Sequence, residues 1–412
     1  MSDLSLFSAF GVELEYMLVD SESGDIRPIC DQVLQAASGG EVVSDIERGP
    51  IAWSNELTLH VIELKTNGPA ASLAALPSQF EANVREINEL AGQFGARLLP
   101  TAMHPWMDPH REMRLWPHDY GPVYETFHRI FDCRGHGWAN LQSVHLNLPF
   151  ADDDEFARLH SAVRLILPLL PALAASSPIM ESRVTGVLDN RLEVYRTNAR
   201  KIRSVSGRII PEPAFSESEY RRQIYAPLLA EMAPHDPEHI LQEEFLNARG
   251  AIARFDRGAI EIRLLDVQET PRADVAICAT IVAVLKQLVA EKWTNLSEQQ
   301  QVQITPLESC LLRSIRDADM AVLDDPQLLR HFGAADLNGG TVGDLWRRLV
   351  ADVCQADPEF DKQWGATVSE ILDRGPLSRA ILRHTGEQPS HDELRTVYGE
   401  LATGLTGGEL FH

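Results

Sequence analysis

The sequence predicts an α+β fold, and three observations carry that prediction. Several short stretches alternate apolar and polar residues, as half-buried strands do. Longer stretches repeat apolar residues every three or four positions, as amphipathic helices do. The two kinds are mixed without a regular βαβ rhythm, and no G-x-G-x-x-G or G-K-[ST] phosphate loop is present, which disfavours a doubly wound sheet. With 412 residues, 44% hydrophobic and 24% charged, the chain suits one large domain or two with a sizeable core.

Taken in order, "FGVELEYMLVD" is the first strand. Phe10, Val12, Leu14, Tyr16 and Leu18 share its apolar face, while Gly11, Glu13, Glu15 and Met17 share the other. "SESGDIRP" reads as a turn, and "IAWSNELTLHVIELKT", rich in β-formers, as a second extended region. In "SLAALPSQFEANVREINELAGQFGARLLP", Phe80, Val84, Ile87, Leu90, Phe94 and Leu98 have helical spacing. "LQSVHLNLPF" is a strand with Val144, Leu146 and Leu148 on one face and Ser143, His145 and Asn147 on the other. A Pro-interrupted helix follows over about 154–176, and 181–208 is rich in arginine. "GAIEIRLLDV" sets Ile260, Ile262 and Leu264 against Glu261 and Arg263, and a long apolar helix starts at about Asp274. From about residue 295 the pattern is mostly helical and polar. The expected organisation is therefore a mixed strand-and-helix region over 1–294 and a helical region over 295–412 packed on the same domain.

The net charge of −23 opposes binding to nucleic acid or to an anionic membrane surface, and leaves room for a local cationic pocket. Cys30, Cys133, Cys278, Cys310 and Cys354 show no C-x-x-C spacing, which points to reduced thiols and a cytoplasmic setting. The first ten residues lack the basic region and apolar core of a secretory signal. "SAVRLILPLLPALAASSP" carries Arg164 and the interior prolines Pro168 and Pro171, so it reads as a core helix, not a membrane span.

Chemistry enters through the carboxylates. Glu13 and Glu15 stand roughly 7 Å apart on one strand face. A solvated edge strand would tolerate that; on a buried face the pair needs compensation, and a cation would supply it. Further ligands would then be needed. Candidates are His145, Glu261 beside Arg263, and the acids Glu56 and Glu63. The last two are seven residues apart, so a regular strand would point them to opposite faces. A bulge, or Glu56 lying just outside the strand, would bring them together. Each has a structural alternative: a hydrogen-bonded histidine for His145, an exposed ion pair for Glu261 and Arg263. His60 and the acidic run "ADDDEF" read as structural, a strand surface and a helix N-terminus. An oxygen-rich set with one imidazole suits Mg²⁺ or Mn²⁺ better than structural zinc. Spacing alone does not separate a ligase from a hydrolase.

"FGVELEYMLVD", "NELTLHVIELKTN", "TAMHPWMDP", "SVHLNLPF", "LAASSPIMESRVTG" and "GAIEIRLLDVQETPRADVAI" resemble, in order, the motifs of the glutamate–cysteine ligase type 2 (carboxylate–amine ligase) family. The resemblance implies a glutamine-synthetase-like fold, a curved and mainly antiparallel sheet with flanking helices. It also implies ATP-dependent joining of a carboxylate, typically the γ-carboxylate of glutamate, to an amine. The implied metal positions are Glu13, Glu15, Glu56, Glu63, His145 and Glu261, with Mg²⁺ expected and Mn²⁺ as the alternative. Arg263 matches an arginine associated with the ATP phosphates, Arg191 one that binds substrate, and Arg249 a further site arginine with a longer spacing to Glu261 than usual. The chain departs from the pattern at Leu14, often a second acid, at "SVHLNLPF", where many relatives are more glycine-rich, and at "HGWANLQS", which reads as a subgroup variation. Cysteine is therefore not implied as the amine.

Amide formation from a carboxylate in water needs an activated acyl group, which ATP supplies as an acyl phosphate. The charge gathered there calls for divalent cations and arginines. Small-molecule carboxylate and amine partners are expected, without nucleic acid or membrane, and a homodimer stays open. The rival readings are a metal-dependent amide hydrolase, which would not need ATP, and a relative that binds nucleotide or amino acid without turnover. The basic stretch 183–208 reads mostly as a solvated helix face balanced by Glu181, Asp189 and Glu193.

Overall fold

The fold is described from a computed structural model, which covers residues 4–241 and 243–412. Its centre is an eight-stranded sheet: β1 (Gly11–Asp20), β2 (Asp45–Arg48), β3 (Ile51–Asn55), β4 (Val61–Thr66), β5 (Ala96–Leu99), β6 (Ser143–Pro149), β9 (Ala251–Arg254) and β10 (Ala259–Asp266). The spatial order is β2-β3-β4-β1-β6-β10-β9, and β5 pairs with the Met17–Asp20 half of β1. Every pairing is antiparallel. The remaining strands, β7 (Ile179–Met180) and β8 (Arg183–Val184), form a separate small hairpin.

The alternation along β1 decides how the sheet is dressed. Val12, Leu14, Tyr16 and Leu18 are fully buried in the main core. That core also takes Phe80, Val84 and Ile87 of the helix Leu76–Gly92 and the inner face of the helix Pro271–Val289, whose first turn is capped by Thr270. The run through Arg164 is a core helix, Asp153–Ile166, continued by a short 3₁₀ turn and Pro171–Ala174. Asp152 caps it and Asp153, Asp154 and Glu155 fill its first turn, so the acidic run is a helix N-terminus as expected.

On the opposite face, Met17, Val19 and Leu99 join a second apolar cluster with Phe127, Ile130 and Leu228. That cluster covers the far half of β1 and leaves the Glu13–Glu15 half facing a cavity. Helices after residue 295 feed both clusters. Leu345, Trp346 and Leu349 enter the main core, where Trp346 donates to the Leu169 carbonyl at 2.8 Å, and Leu394, Val397 and Leu401 enter the second. Among the described residues no helix is long and apolar enough to cross a membrane, and all five cysteines are unbridged.

Three sequence expectations need correction. "IAWSNELTLHVIELKT" is a hairpin, β3 and β4, instead of one extended region, because the chain reverses at Glu56–His60. His60 is therefore not on a strand surface; it is fully buried in that reversal, with Nε2 2.7 Å from the Ala139 carbonyl. The helical spacing that reached Leu98 overran the helix, which ends at Gly92. Gly95, at φ +68, turns the chain and Leu98 belongs to β5.

Candidate active site

Register assembles the site from strands far apart in sequence. On β1, Glu13 is directly opposite Lys65 of β4 and His145 of β6, and Glu15 is opposite Glu63. Gly11 is opposite Asn147, where a Cβ would lie 2.9 Å from the Asn147 Cβ, so glycine lets the two strands close there. Glu56 follows the last residue of β3, outside the strand. That placement resolves the seven-residue spacing and lets its carboxylate join those of Glu15 and Glu63.

Two groups of ligand atoms result, each within 4.8 Å: Glu13, Glu63 and His145 in one, Glu15, Glu56 and Glu63 in the other. Glu63 belongs to both. His145 Nδ1 is 2.8 Å from Glu13 and Nε2 is 2.9 Å from the Ser143 hydroxyl. Glu15 accepts from the Ser143 amide at 2.7 Å, Glu13 from the Asn147 amide at 3.0 Å, and Glu63 from the Ser54 hydroxyl at 2.8 Å. Glu261 stands at the side of the first group, 3.9 Å from His145 Nδ1. Arg263 lies 2.9 Å from Glu261, off the axis of its Nε–H bond, so that donor keeps no aligned acceptor.

The electrostatics show what this arrangement lacks. Burial raises Glu63 to about 7, helped by the Glu13 charge, and raises Glu56 well above the usual carboxylate range, helped by Glu63 and Glu15. Burial also works against Glu13, but the His145 hydrogen bond and charge outweigh it and hold Glu13 at about 2. His145 is pushed down by burial and up more strongly by Glu13, reaching about 9. One imidazolium, Lys65 and Arg263 therefore do not neutralise all these acids at once. A divalent cation bound by oxygens and one imidazole would, and the donor set fits Mg²⁺ or Mn²⁺.

These groups line a cavity of about 910 Å³. Arg191 reaches its wall from the helix Asn190–Asn198, with Nε donating to Asp266 at 2.5 Å and a terminal nitrogen to the Arg263 carbonyl at 3.2 Å. Arg249 is placed elsewhere. Its guanidinium forks onto Glu212 at 2.6 and 2.8 Å and donates to the Ser204 carbonyl and Asn247, so it braces a loop behind the wall. The sequence reading missed Lys65, Arg254 and Tyr195, which also line the cavity. Lys65 was legible in principle, two residues after Glu63 on the same strand face. Arg254 sits 3.8 Å from Glu261 across β9 and β10, a pairing no sequence signal announces.

The model of glutamate–cysteine ligase family 2 matches residues 9–400. The chain belongs to that family. It is an ATP-dependent carboxylate–amine ligase, an enzyme that forms a carbon–nitrogen bond. An uncharacterized protein of Archaeoglobus fulgidus is 34% identical over 284 residues, 68% of this chain and 75% of its own. A Corynebacterium glutamicum (strain R) relative provisionally named glutamate–cysteine ligase 2 is 24% identical over 394 residues, 91% of each chain. The crystal structure of the Francisella tularensis glutamate–cysteine ligase in complex with AMP shares the fold. It has a TM-score of 0.60 at 11% identity and covers 98% of this chain and 89% of that one.

Proposed function

We propose that this ligase joins an amine to a carboxylate, the γ-carboxylate of glutamate, through an acyl phosphate. The observation that supports it best is the pair of carboxylate groups sharing Glu63, set beside Arg263 in one cavity. Glu13, Glu15, Glu56, Glu63, His145 and Glu261 are the residues that would hold Mg²⁺ or Mn²⁺. When bound, the cation supplies positive charge to phosphate oxygens. Arg263 presents a planar fork to the transferring phosphoryl group, its Nε–H lacking an aligned partner in the protein. Arg191, fixed by Asp266, holds the carboxylate or its phosphorylated form in line. A carboxylate oxygen then attacks the γ-phosphorus and the bond to the bridging oxygen of ADP breaks. The neutral amine next attacks the acyl carbon, loses a proton and displaces phosphate. Residues 1–294 form the catalytic region in this reading, and 295–412 brace it.

The test is incubation with ATP, Mg²⁺, glutamate and a panel of amines. ADP, phosphate and amide in equal amounts are expected, all abolished by chelator. AMP with pyrophosphate, or amide turnover without ATP, would contradict the proposal.

A further inference from the structure

The ligase cavity has two ends, and the strand register tells them apart. Gly11 of β1 pairs with Asn147, and Ala259 of β10 with Pro149 and Arg254, so these residues mark one end. Met17 pairs with Val61, and Asp266 with Ser143, and these mark the other, beyond Glu15. Six residues of extended chain separate Gly11 from Met17, about 20 Å. Arg254 and Arg257 line the Gly11 end, where the Arg257 side chain is 64% exposed, and a polyanionic nucleotide suits that end. Arg191 lies at the Glu15 end, tied to Asp266. Its helix, Asn190–Asn198, carries the chain about 10 Å further, to the Asn198 carbonyl that accepts from Trp138 Nε1 at 3.1 Å.

Trp138 begins an aromatic wall. Its ring centre is 5.5 Å from that of Phe127, which shares a face of the helix Gly121–Phe131 with Tyr124, and Tyr120, just before that helix, is 6.5 Å from Tyr124. All four residues line the cavity, and Tyr124 and Trp138 are half-buried. Tyr120 is 53% exposed and held at φ +68, where a bulky side chain is uncommon. A core ring would be covered; this one is open on the cavity. The Tyr124 hydroxyl is 3.2 Å from the Asn55 side-chain amide, next in sequence to Glu56, so the wall adjoins the acids. Charge limits what can sit there. Among the described residues, the lysine and arginines lining the cavity are Lys65, Arg191, Arg254, Arg257 and Arg263. Arg191 and Arg263 are assigned to the first carboxylate and the phosphoryl group, and Lys65 is spent on Asp45 at 2.7 Å and Ser54 at 2.8 Å. With Arg254 and Arg257 at the far end, no such cation remains beside the wall for a second carboxylate. An amino acid such as cysteine therefore fits poorly, and an uncharged ring fits well.

We propose that the amine substrate is an arylalkylamine, a primary amine with an aromatic ring and no carboxylate, whose ring packs on Tyr120, Tyr124, Phe127 and Trp138. This rests on the ligase reading above and adds the class of the acceptor. The ring is held at the wall, and the nitrogen reaches toward the acyl group beside Arg191.

Hydroxylamine separates the two claims. It needs no side-chain pocket, so γ-glutamyl hydroxamate formed from glutamate with ATP and Mg²⁺ reports the acyl phosphate alone. The full-length protein is then assayed for kcat/KM with 2-phenylethylamine, methylamine and L-cysteine. 2-Phenylethylamine should exceed both others by about 10²-fold, through burial of its ring. Tyr120→Gly, which suits the positive φ, and Trp138→Ala should each lower the ratio of kcat/KM for 2-phenylethylamine to that for hydroxylamine by about tenfold. That ratio cancels any loss of folded protein. KM for ATP distinguishes an amine at the wall from the adenine of the nucleotide. Three results would each overturn the proposal and leave the ligase reading standing: hydroxamate formed without a preference for the aromatic amine, a ratio unmoved by both substitutions, or a KM for ATP that rises as much as that for the amine. Absence of hydroxamate would overturn both.

Discussion

Glu63 is the member common to both ligand groups, so its replacement gives the sharpest reading of why the acids are there. In the metal-free protein its carboxyl sits at about 7 against an ordinary 4.5, raised by burial and by the neighbouring Glu13. A raised acid favours the fold while protonated, so its full contribution is present below pH 4.5 and is lost as pH rises to about 7. Above that, ionised Glu63 costs the fold up to about 3 kcal/mol. Glu63→Gln keeps the shape and an oxygen for the Ser54 hydroxyl, 2.8 Å away. The variant should therefore be more stable than the parent at pH 8 in EDTA, by up to about 3 kcal/mol, and nearly equal to it at pH 4.5. Added Mg²⁺ should stabilise the parent and hardly affect the variant. Urea unfolding at the two pH values, with and without metal, measures all four quantities. A variant less stable than the parent at pH 8 in EDTA, with its Mg²⁺ response unchanged, would refute the reasoning.

Arg263→Lys keeps a charge but loses the fork, and phosphoryl transfer in rapid quench should fall by about 10²-fold or more. Its Tm must be followed alongside, because Glu261 loses its 2.9 Å partner, and unchanged turnover would remove the phosphate role. Arg249→Met should act through folding. It strips Glu212 and two further acceptors of their donor, costing about 3 kcal/mol, while kcat of the folded protein stays within a few-fold; a large kcat loss with normal stability would return Arg249 to the active site. Burial depresses His60 and His104 to about 4 and His160 to about 3, from 6.5. Stability held by neutral imidazoles is complete above 6.5 and drains as pH falls through 4, each histidine adding up to about 1.4 kcal/mol per pH unit. Glu56, raised by burial, opposes that slope, so the histidine share is read as a difference: between pH 7 and pH 4.5 the urea midpoint should fall less in His160→Gln than in the parent, and an identical change in both would contradict it.

The sequence was most informative where one strand buries one face. The alternation of Val12, Leu14, Tyr16 and Leu18 forced Glu13 and Glu15 together on the other, and β6 and β10 declared His145 and Glu261 in the same way. It was least informative at reversals. The turn between β3 and β4 runs through Glu56, Leu57, Thr58, Leu59 and His60 with no glycine or proline, so nothing local marked it. At Leu98 the opposite happened: helical spacing continued by coincidence past Gly92 and Gly95, the residues that stop the helix. Arginines were the hardest. Arg191, Arg249, Arg254 and Arg263 look alike in a sequence, and only the positions of Asp266, Glu212 and Glu261 decide which face the cavity.

The central claim, that the carboxylate is activated by phosphorylation in this cavity, is tested most directly by isotope transfer. Glutamate labelled with ¹⁸O in its γ-carboxylate is turned over with ATP, Mg²⁺ and an accepted amine, and the phosphate is examined by mass spectrometry. The account predicts one ¹⁸O in the released phosphate for every amide formed. Unlabelled phosphate, or label recovered in AMP, would contradict it.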